Sequence, residues 1–255
     1  MKISTVYFSA TNTTKRIITS IAQAMEAEVH QLDLTSRPLT AELEIPKAEL
    51  LLVGMPVYGG RIPSVAVASL QRLRGEHTAA ILVAVYGNRA YEDALVEMQD
   101  LLEPNGFFVL AAGAFIAQHS VFPHTAMGRP DALDILKIKE FAKSCKEKVE
   151  RGWTDEQQSI VLPGNRPYKI PGKIPLKVIT TEQCTSCGAC ARVCPVGAIP
   201  LDHPHATDYD KCIHCGRCLF VCTAHARCYS GWLYKVAGKV FGWKNRKRKE
   251  PEFFI

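Results

Sequence analysis

Eight of the ten cysteines fall into one pattern written twice: Cys184-x2-Cys187-x2-Cys190-x3-Cys194-Pro195, and, 28 residues later, Cys212-x2-Cys215-x2-Cys218-x3-Cys222. Nothing else in the chain limits its fold so sharply. Three thiolates on one tight loop can face three corners of a 4Fe-4S cubane, whereas the fourth corner must be met from a distant part of the chain. Zinc is the rival use of C-x-x-C pairs, but two pairs satisfy one ion and leave the third thiolate and the x3-Cys ending unexplained. Gly188 and Gly216 directly follow the second cysteine of each run, where a residue without Cβ lets the backbone curl close to inorganic sulfide.

Over about residues 177–228 this array resembles the bacterial 2×4Fe-4S ferredoxins. That resemblance implies that the fourth cysteine of each run serves the other cluster. One cluster is then held by Cys184, Cys187, Cys190 and Cys222, and the second by Cys212, Cys215, Cys218 and Cys194. The match departs at Thr223, where a second proline would stand, and in charge. Residues 161–255 carry 15 Lys plus Arg against 6 Asp plus Glu, a net of +9, while residues 1–160 carry 16 against 19, a net of −3. Free ferredoxins are usually acidic, so a different docking partner is expected. Cys145 reads as a buried helical thiol, and Cys228 has no evident role.

Ahead of the cysteines, β-branched runs alternate with amphipathic stretches, the pattern of a parallel sheet covered by helices. Strands are expected at Ile3–Phe8, Val29–Leu34, Leu50–Met55, Ala79–Tyr86 and Phe107–Ile116, and helices at Thr13–Ala27, Pro63–Leu73, Tyr91–Leu102 and Asp131–Glu150. The expected architecture is α/β, a flavodoxin-like doubly wound parallel sheet of order 2-1-3-4-5, followed by a small α+β ferredoxin-type domain. The divisions are 1–160, a Pro/Gly linker at 161–176, the cysteine domain at 177–228, and a basic aromatic tail at 229–255. The N-terminus reads straight into a strand with no apolar leader, and a reducing, cytoplasmic setting is expected. No stretch approaches the roughly 20 apolar residues needed to span a bilayer.

Three loops at strand ends form the second candidate site. Ser9-Ala10-Thr11-Asn12-Thr13-Thr14-Lys15 leads into the first helix, where unpaired N–H groups and hydroxyls favour an anion; taken alone, these residues could be no more than a helix cap. The loop resembles the flavodoxin phosphate loop, with Asn12 in the glycine position. Pro56-Val57-Tyr58-Gly59-Gly60 and Gly87-Asn88-Arg89-Ala90-Tyr91 follow the third and fourth strands, with Tyr58 and Tyr91 resembling flavodoxin's flanking aromatics. His119 follows the fifth. FMN is the cofactor expected here, together with two 4Fe-4S clusters.

The motifs together resemble the EFR1-type flavodoxin–ferredoxin fusions of anaerobic bacteria and archaea, over nearly the whole chain. The resemblance implies cytoplasmic redox chemistry; electron transfer between FMN and the clusters, serving redox partner proteins, is the expected function, and no nucleic acid is expected because the tail's basic run is short and no recognition motif precedes it. The alternative is a flavin oxidoreductase acting on a small molecule in a cavity lined by Arg61, Arg89 and His119, and a third reading leaves the flavin site empty. No acid–base or nucleophile motif stands out. In the tail, Trp232, Val236, Val240 and Trp243 recur at helical spacing among lysines. That stripe is expected to pack on the flavodoxin-like domain, with an anionic membrane surface or a protein partner as the alternatives.

Overall fold

The structure is a computed structural model that describes residues 1–154, 156–172 and 175–255. Lys173 and Ile174, inside the expected linker, lie outside the described residues.

Fully apolar strands can sit only in the middle of a sheet covered on both faces, and the sequence supplies them. The elements of the N-terminal part are β1 (Lys2–Tyr7), α1 (Thr13–Ala24), β2 (Glu28–Asp33), β3 (Leu43–Ile45), β4 (Leu50–Pro56), α2 (Ser64–Leu70), β5 (Leu73–Gly75), β6 (Thr78–Tyr86), α3 (Ala94–Leu102), β7 (Phe107–Ile116) and α4 (Ala132–Glu150). The strands β2-β1-β4-β6-β7 pair in parallel, which is the order 2-1-3-4-5. Every residue of β6 and β7 is buried, whereas β2, at the edge, is mostly exposed or half-buried. Successive residues of β4 serve opposite cores. Leu51 and Val53 meet Leu82, Leu95 and Met98, while Leu50 and Leu52 join the core of Ile17, Ile21, Ile138 and Phe141. Cys145 lies in that second core, and burial pushes its thiol up to about 12. Two short strands absent from the expected set, β3 and β5, form a separate two-stranded parallel sheet.

The expected linker is strapped to α3. Asp93, fully buried, accepts hydrogen bonds from the Asn165 and Lys169 backbone N–H groups at 2.8 and 2.6 Å, and Arg166 pairs with Asp100. Burial opposes the Asp93 charge, but those donors hold its carboxyl below the ordinary range.

The cysteine region has little regular structure: β8 (Val178–Thr180), α5 (Ala189–Arg192), α6 (Arg217–Phe220) and β9 (Arg227–Tyr229), with β8 and β9 antiparallel. After it come α7 (Trp232–Lys244) and β10 (Glu252–Phe254), which returns to pair antiparallel with β7. This sixth strand covers the sheet's outer edge and packs Phe253 on Phe115 and Phe141, with ring centroids 5.8 and 5.2 Å apart.

The tail therefore folds back on the N-terminal sheet, but with a face other than the expected one. Tyr234 and Phe241 point inward: Tyr234 stacks on Phe122 and Tyr229, and Phe241 meets Phe122 and His119. Trp232, Val236, Val240 and Trp243 point out. Rings at 234 and 241 reach further into the seam than valines could, and Gly238 between them leaves room for the Phe122 ring, which a Cβ there would crowd at 3.3 Å.

Candidate functional site

The two cysteine runs fold alike. Ser186 and His214, the residues before the second cysteines, have φ of 54° and 53°; Gly188 and Gly216, just after them, have 70° and 77°. Alternating left-handed residues turn successive amides toward one side, which makes an anion-holding concavity. At the run ends, the Ala198 and Ala226 N–H groups each donate to the fourth cysteine's Sγ at 3.3 Å.

Two cavities of about 390 and 400 Å³ open beside these loops. The first is lined by Cys184, Cys187, Cys190 and Cys222, and the second by Cys194, Cys212, Cys215 and Cys218. Each thus gathers three thiols from one run and the fourth from the other. Among the described residues no three His, Cys, Asp or Glu side chains group as ligands of a single ion; a cubane instead takes thiolates set apart at its corners. Buried cationic groups complete the fit to an anionic cluster. Arg227 lines the first cavity, Arg217 lines the second, and the Nε atoms of both are buried without a partner.

A third cavity, about 670 Å³ and open on one side, lies at the carboxyl ends of the parallel strands. Thr11, Thr13 and Thr14 stand at the N-terminus of α1, and Pro56, Val57, Tyr58 and Gly59 follow β4. Gly87 follows β6, and His119 follows β7. The Thr14 hydroxyl is buried with no partner at the positive end of α1, a donor suited to a phosphate. Asn12, at φ 62°, turns the chain into the helix. Tyr58-Gly59-Gly60-Arg61 is a tight turn closed by reciprocal backbone bonds, with both glycines at positive φ. Burial raises the Tyr58 phenol well above its ordinary value.

His119 is held as a neutral donor. Its Nδ1 accepts the Val121 and Phe122 N–H groups, both at 3.1 Å, which leaves the proton on Nε2. Burial first, and the Arg89 charge second, lower its pKa to about 4.

Several expected residues stand elsewhere. The Ser9 hydroxyl accepts from the Lys15 N–H, so it caps α1 instead of facing the cavity. Gly60 packs against Glu92. Asn88 donates to the Asn245 and Lys247 carbonyls and so grips the tail, Arg89 pairs with Glu92, and the Tyr91 hydroxyl donates to Glu252 at 2.7 Å. Arg61 is clamped by Glu97, at 2.7 and 2.6 Å. The cavity walls therefore hold His119 but neither Arg61 nor Arg89. Tyr86, Gln118 and Ser120, from the ends of the fourth and fifth expected strands, line the cavity as well; sequence reasoning missed Ile213 and His214, which come from inside the second cysteine run. A contact between elements so far apart in the chain leaves no local trace in the sequence.

The fold and cavities join a flavodoxin-like parallel sheet to a region with two cysteine-lined cavities. Residues 177–199 and 205–227 each match the 4Fe-4S binding domain, so the region holds two copies of it. Among solved structures, a flavodoxin from the domain Archaea is 16% identical, with 59% of this chain and 99% of that one covered, at a TM-score of 0.40. A Streptococcus pneumoniae flavodoxin is 16% identical over 58% and 99%, at 0.42. A Fusobacterium nucleatum flavodoxin bound to flavin mononucleotide is 12% identical over 60% and 99%, at 0.41. No curated protein matches the chain.

Proposed function

We propose that this chain is an iron–sulfur flavoprotein that passes single electrons between FMN, held in the 670 Å³ cavity, and two 4Fe-4S clusters, serving partner proteins in the redox metabolism of an anaerobe's cytoplasm. The carrying observation is that Ile213 and His214, between the ligands Cys212 and Cys215, line the same cavity as the Thr11–Thr14 loop. FMN exchanges electrons in pairs or singly and each cubane one at a time, so the pairing converts two-electron into one-electron traffic.

The residues sort into three tasks. Thr11, Thr13, Thr14 and the first amides of α1 would hold the phosphate; Tyr58 and His119 would flank the ring system, His119 as a fixed neutral donor. Cys194, Cys212, Cys215 and Cys218 would hold the cluster nearer the cavity, and Cys184, Cys187, Cys190 and Cys222 the farther one. Cys187 is solvent-exposed, which makes the farther site the natural exit to a partner. Arg217 ties the order together, because its Nη1 reaches the Ser9 and Ala10 carbonyls at 3.3 and 3.4 Å. Keeping donor and acceptor in one chain replaces a diffusive encounter with a fixed contact.

Anaerobic protein should contain about eight irons and eight sulfides per chain and release FMN, not FAD, on denaturation. Two zincs without labile sulfide would refute the clusters. Thr11→Glu sets a carboxylate against the phosphate and should weaken FMN binding at least ~10-fold at full iron content; unchanged affinity would refute the loop's role.

A further inference from the structure

The outward face of α7 is the largest feature the electron-transfer reading leaves unused. Trp232 is 76% exposed, Trp243 65%, Val236 50% and Val240 47%, with Leu233 beside them. Exposed apolar residues are ordinary singly but not as a ridge along one helix. Flanking the ridge are Lys235, Lys239, Lys244, Arg246 and Lys247, all exposed, and no acidic residue occurs from 231 to 249. Among the described residues none of these five lies within ion-pair distance of a carboxylate, whereas the neighbouring Arg248 is spent on Asp131 and Glu250. Beside the helix an open, mostly apolar groove of about 990 Å³ runs between Phe122, Tyr234, Gly238 and Trp243.

We propose that this face docks the protein on an anionic lipid surface, with α7 lying in the interfacial plane. Three observations favour lipid as the occupant. Two tryptophans near opposite ends of one ridge are the side chains that settle at the boundary between headgroups and acyl chains. The lysines around them complement a layer of negative headgroups, each adding affinity that salt screens. A second copy of the chain would instead bring two such basic faces together. The helix also needs no folding on arrival, because Tyr234 and Phe241 already clasp its inner side; an isolated amphipathic peptide must order itself as it binds. No helix among the described residues is long and apolar enough to cross a membrane, so the contact is peripheral. It would hold the flavin cavity at a fixed distance from the lipid, since Phe122 and His119 connect α7 to the cavity wall.

The test is sedimentation of the intact, cluster-loaded protein with vesicles of phosphatidylcholine alone or mixed with phosphatidylglycerol. Binding should require phosphatidylglycerol and fall as salt rises. Trp232→Ala/Trp243→Ala and, separately, Lys235→Glu/Lys239→Glu should each weaken it at least ~10-fold, with iron content and melting temperature unchanged because these side chains project into solvent. Failure to bind at low salt would overturn the proposal, as would binding indifferent to both double substitutions. So would concentration-dependent dimers abolished by the tryptophan substitutions, or capture by an acidic polypeptide without capture by vesicles. None of these outcomes bears on FMN or iron content, so the electron-transfer reading stands or falls separately.

Discussion

The sheet and the cysteine region are stabilised in different ways. The sheet buries two extended cores, one on each face, and would keep its shape without a cofactor. The cysteine region has one small cluster, Leu176, Val178 and Tyr229, completed by Val121 from the loop after β7. A segment that buries so little apolar surface depends on its metal for folding. The contrast shows that one chain can be robust in its sheet and conditional in its cysteine region.

The largest effect should come from stripping iron with a chelator. Amides of 178–229 should lose hydrogen-exchange protection entirely, while those of β4 and β6 keep theirs. Retained protection in both regions would show that the cysteine region has a core of its own and break the comparison. Truncation after Ser230 should come next. It removes the inward rings of α7 and the Phe253–Phe254 strand, four half-buried aromatics, and should destabilise the sheet by roughly 5 kcal/mol, on the order of 10 °C in melting temperature. An unchanged melting temperature would mean that the tail serves only the cysteine region.

The smallest effect is one of pH. His119 has a folded pKa of about 4, below the roughly 6.5 of an unfolded histidine. The folded state therefore binds fewer protons between those values, so its contribution is complete above the unfolded value and is lost as pH falls toward 4, by at most ~3 kcal/mol. His119→Gln, which keeps an acceptor for the two amides, should flatten that part of the stability profile. A profile unchanged by the substitution would shift the acid sensitivity to other groups.

Much of this was legible beforehand. The long strands follow from apolar runs such as Leu50–Met55, their order from the flavodoxin-like fold the alternation suggested, and the crossing of the two cysteine runs from the resemblance to two-cluster ferredoxins. The misses share a cause: local pattern records which residues are apolar, not what they will meet. Three residues, Glu252–Phe254, are too few for a period, so the sixth strand could not be read. In α7 the more regular apolar stripe lies outside, because Tyr234, Gly238 and Phe241 fit the seam. Asn88, Arg89 and Tyr91 read as flavin contacts because they follow β6, but Arg89 pairs with the nearby Glu92, while Asn88 grips the tail and Tyr91 bonds Glu252 of β10, partners too far along the chain for a local pattern to announce.

The sixth strand also bears on biosynthesis. When β7 leaves the ribosome its outer edge is bare, and the residues that will cover it lie beyond both cysteine runs. The sheet can assemble early, since N-terminal units fold first during synthesis. Its last seam closes only after residue 254 has emerged, by which time every cysteine is outside the exit tunnel. Both cysteine runs can thus meet iron before the sheet is sealed, and a chain lacking β10 would carry an unsealed edge open to pairing with its neighbours.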